Sequence, residues 1–158
     1  MAAEAIEAPK PRPGGVLISR TEAFSAAHRL HAASLTDEEN KKIFGKCNNP
    51  NGHGHNYKVT VTVYGVVDPI TGMVINLVDL GTAMKDVLGE LDHKHIDKDV
   101  DFFRSTSTVS TVENITIFIW KQLAEHTSLV GAHLYDVTVH ETDKNVASYR
   151  GPLFTPIM

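Results

Sequence analysis

The stretch Gly45-Lys46-Cys47-Asn48-Asn49-Pro50-Asn51-Gly52-His53-Gly54-His55-Asn56-Tyr57-Lys58-Val59-Thr60-Val61-Thr62-Val63 passes from a turn-rich loop into a strand. Gly45 to Gly54 is rich in glycine, asparagine and proline, residues that supply turn geometry rather than regular ladders. From Tyr57 to Val67 the pattern alternates. Tyr57, Val59, Val61 and Val63 share one face, and Lys58, Thr60 and Thr62 share the other, which predicts a half-buried strand. If the extended conformation begins a little earlier, His53 and His55 point the same way, because residues i and i+2 lie on one face of a strand.

Working outward, Val16 to His28 reads as an extended segment with Phe24, Ala26 and His28 in phase. Thr36-Asp37-Glu38-Glu39 is a capping box that opens a short helix through about Phe44. Asp68 to Gly72 is a turn, and Met73 to Ile75 is expected to continue a hairpin. Asn76 caps a helix to about Leu91, with Leu77, Leu80, Met84, Val87, Leu88 and Leu91 on its apolar side. Asp92 to Ser107 is polar and loop-like. Ser110-Thr111-Val112-Glu113 is a second capping box, with Glu113 at its third helical position, opening a helix through about Glu125. Leu134 to Glu141 alternates with Tyr135, Val137, Val139 and Glu141 in one phase, and Val146 to Tyr149 is a last short strand. The expectation is an α+β domain with a four-stranded antiparallel sheet and two helices on one face. A sheet this small has exposed edges, which points to an oligomer.

Composition bounds what such a domain does. The chain has 158 residues, is 42% hydrophobic and 22% charged, and carries a net charge of −4. That length suits one domain, taken as residues 16–151, which buries roughly two-thirds of its unfolded surface without help from disulfides. Residues 1–15, with three prolines and two glycines, read as a disordered lead-in without a secretory h-region, and residues 152–158 as a tail. The acidic balance argues against nucleic-acid binding. No apolar run approaches the roughly 20 residues of a membrane span, so no membrane partner and a cytoplasmic location are expected. The single cysteine, Cys47, leaves no internal disulfide.

Nine histidines are many for this length, and six fall in close pairs: His28 and His31, His53 and His55, His93 and His95. His28, His53 and His55 form a candidate metal set. Three imidazoles with an open fourth position suit a catalytic zinc, whereas a closed structural site usually takes four protein ligands, often cysteines. His31 and His95 read as ordinary surface or core residues. Cys47 is a candidate thiolate base, since a nearby cation favours its ionised form. Asp92-His93 can form a proton relay in which the carboxylate orients the imidazole. Glu141 falls in an apolar phase, which is costly for a carboxylate unless it is paired or meets a ligand with adjacent N–H donors. Arg29 and Lys46 are candidate phosphate partners.

The stretches Phe24 to Leu30, Asp37 to Asn40 and Phe44 to Tyr57, with Asp68-Pro69, Thr71 to Met73, Leu91 to Lys94, Ser110-Thr111, Glu113-Asn114 and Glu141 to Asp143, resemble the 6-pyruvoyl-tetrahydropterin synthase family. The resemblance runs from about Ile18 to Gly151. It implies the tunnelling fold, in which three subunits join their sheets into a barrel and two trimers stack as a homohexamer with active sites between subunits. It also implies a triphosphate-eliminating lyase that makes 6-pyruvoyl-tetrahydropterin from 7,8-dihydroneopterin triphosphate in tetrahydrobiopterin biosynthesis. By that resemblance His28, His53 and His55 hold zinc, Cys47 abstracts a proton, Asp92 and His93 relay it, Glu141 anchors the pterin, and backbone near Thr111 and Val112 meets the ring. Val112 stands where the family usually has threonine. Two alternatives stay open: a 6-carboxy-tetrahydropterin synthase sharing substrate, zinc and fold, and a zinc-binding assembly module without chemistry. The asparagine-rich segment Asn48 to Asn51 favours the pyruvoyl enzyme over the first, and intact Cys47, Asp92 and His93 argue against the second.

Overall fold

A computed structural model describes residues 14–126, 129 and 131–152. The predicted lead-in and tail lie almost wholly outside the described residues. The chain runs β1 (Val16–His28), α1 (Asp37–Phe44), a 3-10 turn (Gly45–Asn48), β2 (His53–Gly65), α2 (Leu77–Gly89), β3 (Lys94–His95), α3 (Ile96–Asp99), α4 (Asp101–Thr106), α5 (Val112–Ala124), β4 (His133–His140) and β5 (Val146–Tyr149). The strands form one sheet in the order β3-β1-β2-β4-β5. β1, β2, β4 and β5 pair antiparallel, and β3 joins β1 in parallel.

The strand alternation predicted for β2 is realised: Tyr57, Val59, Val61 and Val63 are fully buried. Each of the three valines contributes roughly 1.5–3 kcal/mol relative to exposure. They pack under α2 and α5, whose buried residues include Leu80, Met84, Val87 and Leu88 from the first and Ile115, Phe118, Ile119 and Leu123 from the second. The other sheet face carries hydroxyls that pair across strands, Ser19 with Thr62 at 2.8 Å, Thr21 with Thr60 at 2.8 Å and Thr138 with Ser148 at 2.6 Å. Thr36 and Asn76 cap their helices as expected, Thr36 in a complete capping box with Glu39.

Several expectations are corrected. The sheet has five strands, not four, because the segment expected to be loop from Asp92 to Ser107 holds β3, α3 and α4. These elements are too short for periodicity to reveal. Met73 to Ile75 is not a strand: the Asp68–Gly72 turn forms, closed by Gly72 N donating to Asp68 O at 2.8 Å, but β2 ends at Gly65 and Val66 and Val67 are exposed. Leu77 is exposed, because at the first position of α2 it lies at the rim with Val16 and Met73 instead of over the sheet. The cap of α5 is Thr111, not Ser110: its hydroxyl accepts from Asn114 N at 3.3 Å, so Glu113 is not the capping-box partner. In β4 a bulge opposite Thr62 and Val63 shifts the register. Leu134 and Val137 are thereby both buried, and Tyr135, expected in phase with Val137, stands instead beneath the Arg150 guanidinium, 5.3 Å from its ring centre.

Candidate active site

The antiparallel register of β1 and β2 pairs His28 directly with His53 and Ala26 with His55. Three imidazoles from two strands therefore converge at one end of the sheet. Their ligand atoms all lie within 4.8 Å of one another. His28 Nε2 and His53 Nε2 are 3.2 Å apart. Two nitrogens on one tetrahedral zinc ion are ~3.3 Å apart, given bonds of about 2.0–2.1 Å.

The tautomer of His28 is set from the core side. Its Nδ1 lies 2.7 Å from the carbonyl of Ser110, the residue before the α5 cap, so Nδ1–H donates there and the Nε2 lone pair faces the other histidines. Tying one ring nitrogen to a backbone carbonyl is a common way to orient a metal-bound histidine. His55 Nε2 is buried without a hydrogen-bond partner. A cation shared among the three rings accounts for both the close nitrogens and the unpartnered one, so these residues fit a metal ion. Burial, then the neighbouring imidazole, holds His53 below its ordinary pKa, and burial is also the largest cause of the lowering at His28. Both rings therefore favour the neutral form that a metal requires.

Glu141, just past the end of β4, reaches this cluster. Its Oε1 is 3.7 Å from His28 Nε2 and 3.9 Å from His55 Nε2. Its negative charge partly opposes the lowering at His28 and His53. The carboxylate predicted to be anomalous in the apolar phase thus has its partners at the imidazole cluster.

Asp92 and His93, neighbours that need not touch, do touch: Asp92 Oδ2 is 2.8 Å from His93 Nδ1. Asp92 Oδ1 also accepts from Ser25 N at 2.9 Å, and that bond, followed by the one to His93, holds its carboxyl below the usual range. His93 has φ of 59°, in the left-handed region that disfavours side chains other than glycine, and its side chain is 82% exposed. Its amide donates to Ser25 O at 2.6 Å, so the turn is held by the edge of β1. Beside it runs an open groove of about 480 Å³ whose walls include Ser25, His55, Asn56 and His93.

Cys47 sits in the 3-10 turn, half-buried. Three bonds tie that turn to the chain following His28: Leu30 N to Cys47 O at 2.9 Å, Arg29 Nε to Asn48 O at 2.9 Å and Asn48 Nδ2 to Leu30 O at 2.8 Å. Gly52 closes the loop with φ of 73°, and a Cβ there would lie 2.8 Å from His28 O, so only glycine permits this approach. Thr111 and Val112 stand at the start of α5, beside the Ser110 carbonyl that orients His28. Among the described residues neither Cys47 nor His93 makes a hydrogen bond or ion pair with the three clustered histidines. His31 and His95 are half-buried; His31 Nδ1 is 3.1 Å from Asn48 Nδ2. The orienting role of Ser110 has no signature in the sequence, since a backbone carbonyl carries no residue preference.

Three imidazoles on an open α+β sheet, with a carboxylate against them and an Asp–His pair at the sheet edge, form a set of groups that could hold a metal ion beside an open groove. The family model described as 6-pyruvoyl tetrahydropterin synthase matches residues 17–152. The chain belongs to that family. It is 53% identical over 135 residues to the 6-pyruvoyl tetrahydrobiopterin synthase of Poecilia reticulata, covering 85% of this chain and 89% of the relative. It is 54% identical over 135 residues to the Homo sapiens protein of the same name, covering 85% and 90%. The solved structure of Caenorhabditis elegans 6-pyruvoyl tetrahydropterin synthase superposes with a TM-score of 0.81 at 48% identity, covering 87% of this chain and 96% of that one. The fold is accordingly the tunnelling fold. Among the described residues no helix is long and apolar enough to cross a membrane.

Proposed function

We propose that this chain is a zinc-dependent lyase that converts 7,8-dihydroneopterin triphosphate to 6-pyruvoyl-tetrahydropterin, eliminating triphosphate, in tetrahydrobiopterin biosynthesis. The observation that carries the reading is the convergence of His28, His53 and His55, with Glu141 against them, in a member of this family. Bound zinc supplies Lewis acidity toward the side-chain oxygens of the substrate, which makes protons on the adjacent carbons more acidic.

The protein residues do the rest. His28, oriented by Ser110 O, and His53 and His55 hold the ion. Glu141 accepts the 2-amino and N3–H edge of the pterin, and backbone near Thr111 and Val112 flanks the ring. The Cys47 thiolate removes a proton from the side chain, and His93, oriented by Asp92, carries protons to and from the groove. The C–O bond to triphosphate breaks with its electron pair on the departing oxygen. The side chain becomes oxidised as the ring becomes reduced, so no external oxidant or reductant is consumed. The assembly is a homohexamer of two trimers in the cytoplasm, which pairs the open sheet edges and completes each site with groups from a neighbouring subunit.

The test is a zinc-replete assay that follows triphosphate release and product mass for the native chain and Cys47→Ala. We expect a pyruvoyl product from the native chain and a rate lower by roughly 10²–10⁴-fold in the variant, the usual contribution of a general base. A carboxy product would move the chain to the 6-carboxy-tetrahydropterin branch. No turnover by folded, zinc-loaded protein would sink the enzyme reading.

A further inference from the structure

We propose that the pocket between the turn after His28 and helix α4 is the seat of the triphosphate, with Lys98 and Arg104 as its outer cations and Arg29 and His95 at its inner end; this rests on the substrate proposed above. The pocket measures about 260 Å³, and its walls include Arg29, His95, Lys98, Arg104, Ser107 and Thr108. It is smaller than the about 300–1,000 Å³ typical of a site for a drug-sized organic ligand. In a chain of net charge −4, three fixed cations face it.

One carboxylate, Asp97, also borders the pocket, but it is occupied: its Oδ2 accepts from Arg29 N at 2.7 Å and lies 3.7 Å from His95 Nδ1. The cations are less committed. Arg29 donates through Nε to Asn48 O, and its terminal nitrogens have no partner among the described residues. Lys98 makes no hydrogen bond or ion pair among the described residues. Arg104 pairs with Asp101 on the surface, where both side chains are exposed, and such a pair is readily exchanged for a stronger anion. Both ring nitrogens of His95 are buried without a hydrogen-bond partner among the described residues, Nδ1 having only the longer contact to Asp97. Ser107 adopts φ of 55°, an unfavourable conformation for serine, and its hydroxyl has no partner among the described residues. Guanidinium forks and an ammonium are the groups that recognise phosphate oxygens.

The pocket begins where the histidine cluster ends. Arg29 directly follows His28, and Gly52 directly precedes His53. The Cβ position of Gly52 lies 2.8 Å from His28 O and 3.0 Å from His95 Nε2, so the inner wall of the pocket backs onto the first two clustered histidines. His95 also borders the groove that holds His55 and His93. A substrate with its reacting side chain at the cluster can therefore extend its phosphates past His95 toward Lys98 and Arg104. Cations placed there also stabilise the charge that builds on the departing oxygen.

The test uses zinc-loaded full-length chain and inorganic triphosphate as probe, by calorimetry and as an inhibitor of dihydroneopterin triphosphate turnover. We expect the native chain to bind triphosphate in competition with substrate. Lys98→Ala/Arg104→Ala is expected to weaken that binding by about tenfold or more and to raise KM similarly, with a smaller change in kcat and unchanged zinc content. Lys42→Ala/Lys85→Ala, which removes equal charge elsewhere, should leave triphosphate affinity unchanged. Equal weakening by both double variants would mean general charge attraction and overturn the proposal, as would unaltered affinity in Lys98→Ala/Arg104→Ala. If the native chain turns over substrate while either of those results holds, the pocket is wrong and the reaction reading stands. If triphosphate binds and depends on Lys98 and Arg104 but no turnover occurs, the pocket stands as a triphosphate site and the reaction reading fails.

Discussion

The histidine cluster and the Asp92–His93 turn flank the same strand, β1, but are built in opposite ways. His28 is fully buried, its tautomer fixed by a core carbonyl and its position by continuous strand pairing. His93 is almost fully exposed, on a left-handed turn held by two bonds to Ser25. In the roles proposed above, an ion held by three rings would need fixed distances, which a paired sheet supplies, and a group that passes protons would need access to the groove, which a turn at the sheet edge supplies. Strain at His93 is tolerated because the edge of β1 holds the turn in place.

The sharpest way to break the first half of this contrast is His28→Ala. The chain should purify with little bound metal, by elemental analysis, and with activity at background. It should also melt lower, because the change opens a space among Tyr57, His53 and His55. His93→Ala should do the reverse. kcat should fall by roughly 10²–10⁴-fold while metal content and the thermal midpoint stay at native values. A large loss of metal in that variant would mean that the two regions are one structural unit.

A smaller effect separates them by pH. The folded chain resists protonating His28 and His53, whose pKa values lie below the ordinary 6.5, whereas the unfolded chain takes up those protons near 6.5. The unfolded state then binds more protons, so the metal-free chain should lose stability as pH falls from 6.5 toward the lowered folded values. Denaturant midpoints at pH 7.5 and 5.5 would show this, and the difference should shrink in His53→Ala. The smallest expected effect is that of Ser110→Ala. The Ser110 hydroxyl is buried without a partner among the described residues, while the contact to His28 is made by the backbone. Metal content should not change, and the midpoint should stay or rise by an amount worth at most about 1 kcal/mol.

The two regions also differ in how far the sequence reveals them. The alternation of Tyr57, Val59, Val61 and Val63 and the His53-Gly54-His55 spacing are local signals, and a strand turns them directly into a buried face and a pair of aligned rings. His28 joins them because β1 alternates in phase with it. The Asp92–His93 turn is legible only as residue types. Its contact depends on a positive φ and on a two-residue parallel strand, neither of which has a period to read. Ser110 and Thr111 are both good capping residues, and the local sequence does not choose between them; in the fold the Ser110 carbonyl meets His28 and the Thr111 hydroxyl caps α5. The alternation does not carry through Tyr135 because a bulge interrupts the strand there.

That bulge makes the length of β4 a setting in its own right. One extra residue near Tyr135 lets Leu134 face the core at one end of the strand while Val137 and Val139 face it at the other, with Glu141 following them toward the histidines. Removing a single residue there would force the strand to choose which end keeps its facing, since a one-residue slip reverses every side chain beyond it. Over the history of such a chain, a point substitution on the open face of β4 would pass unnoticed far more readily than a one-codon deletion, although the deletion removes no side chain that touches the histidines.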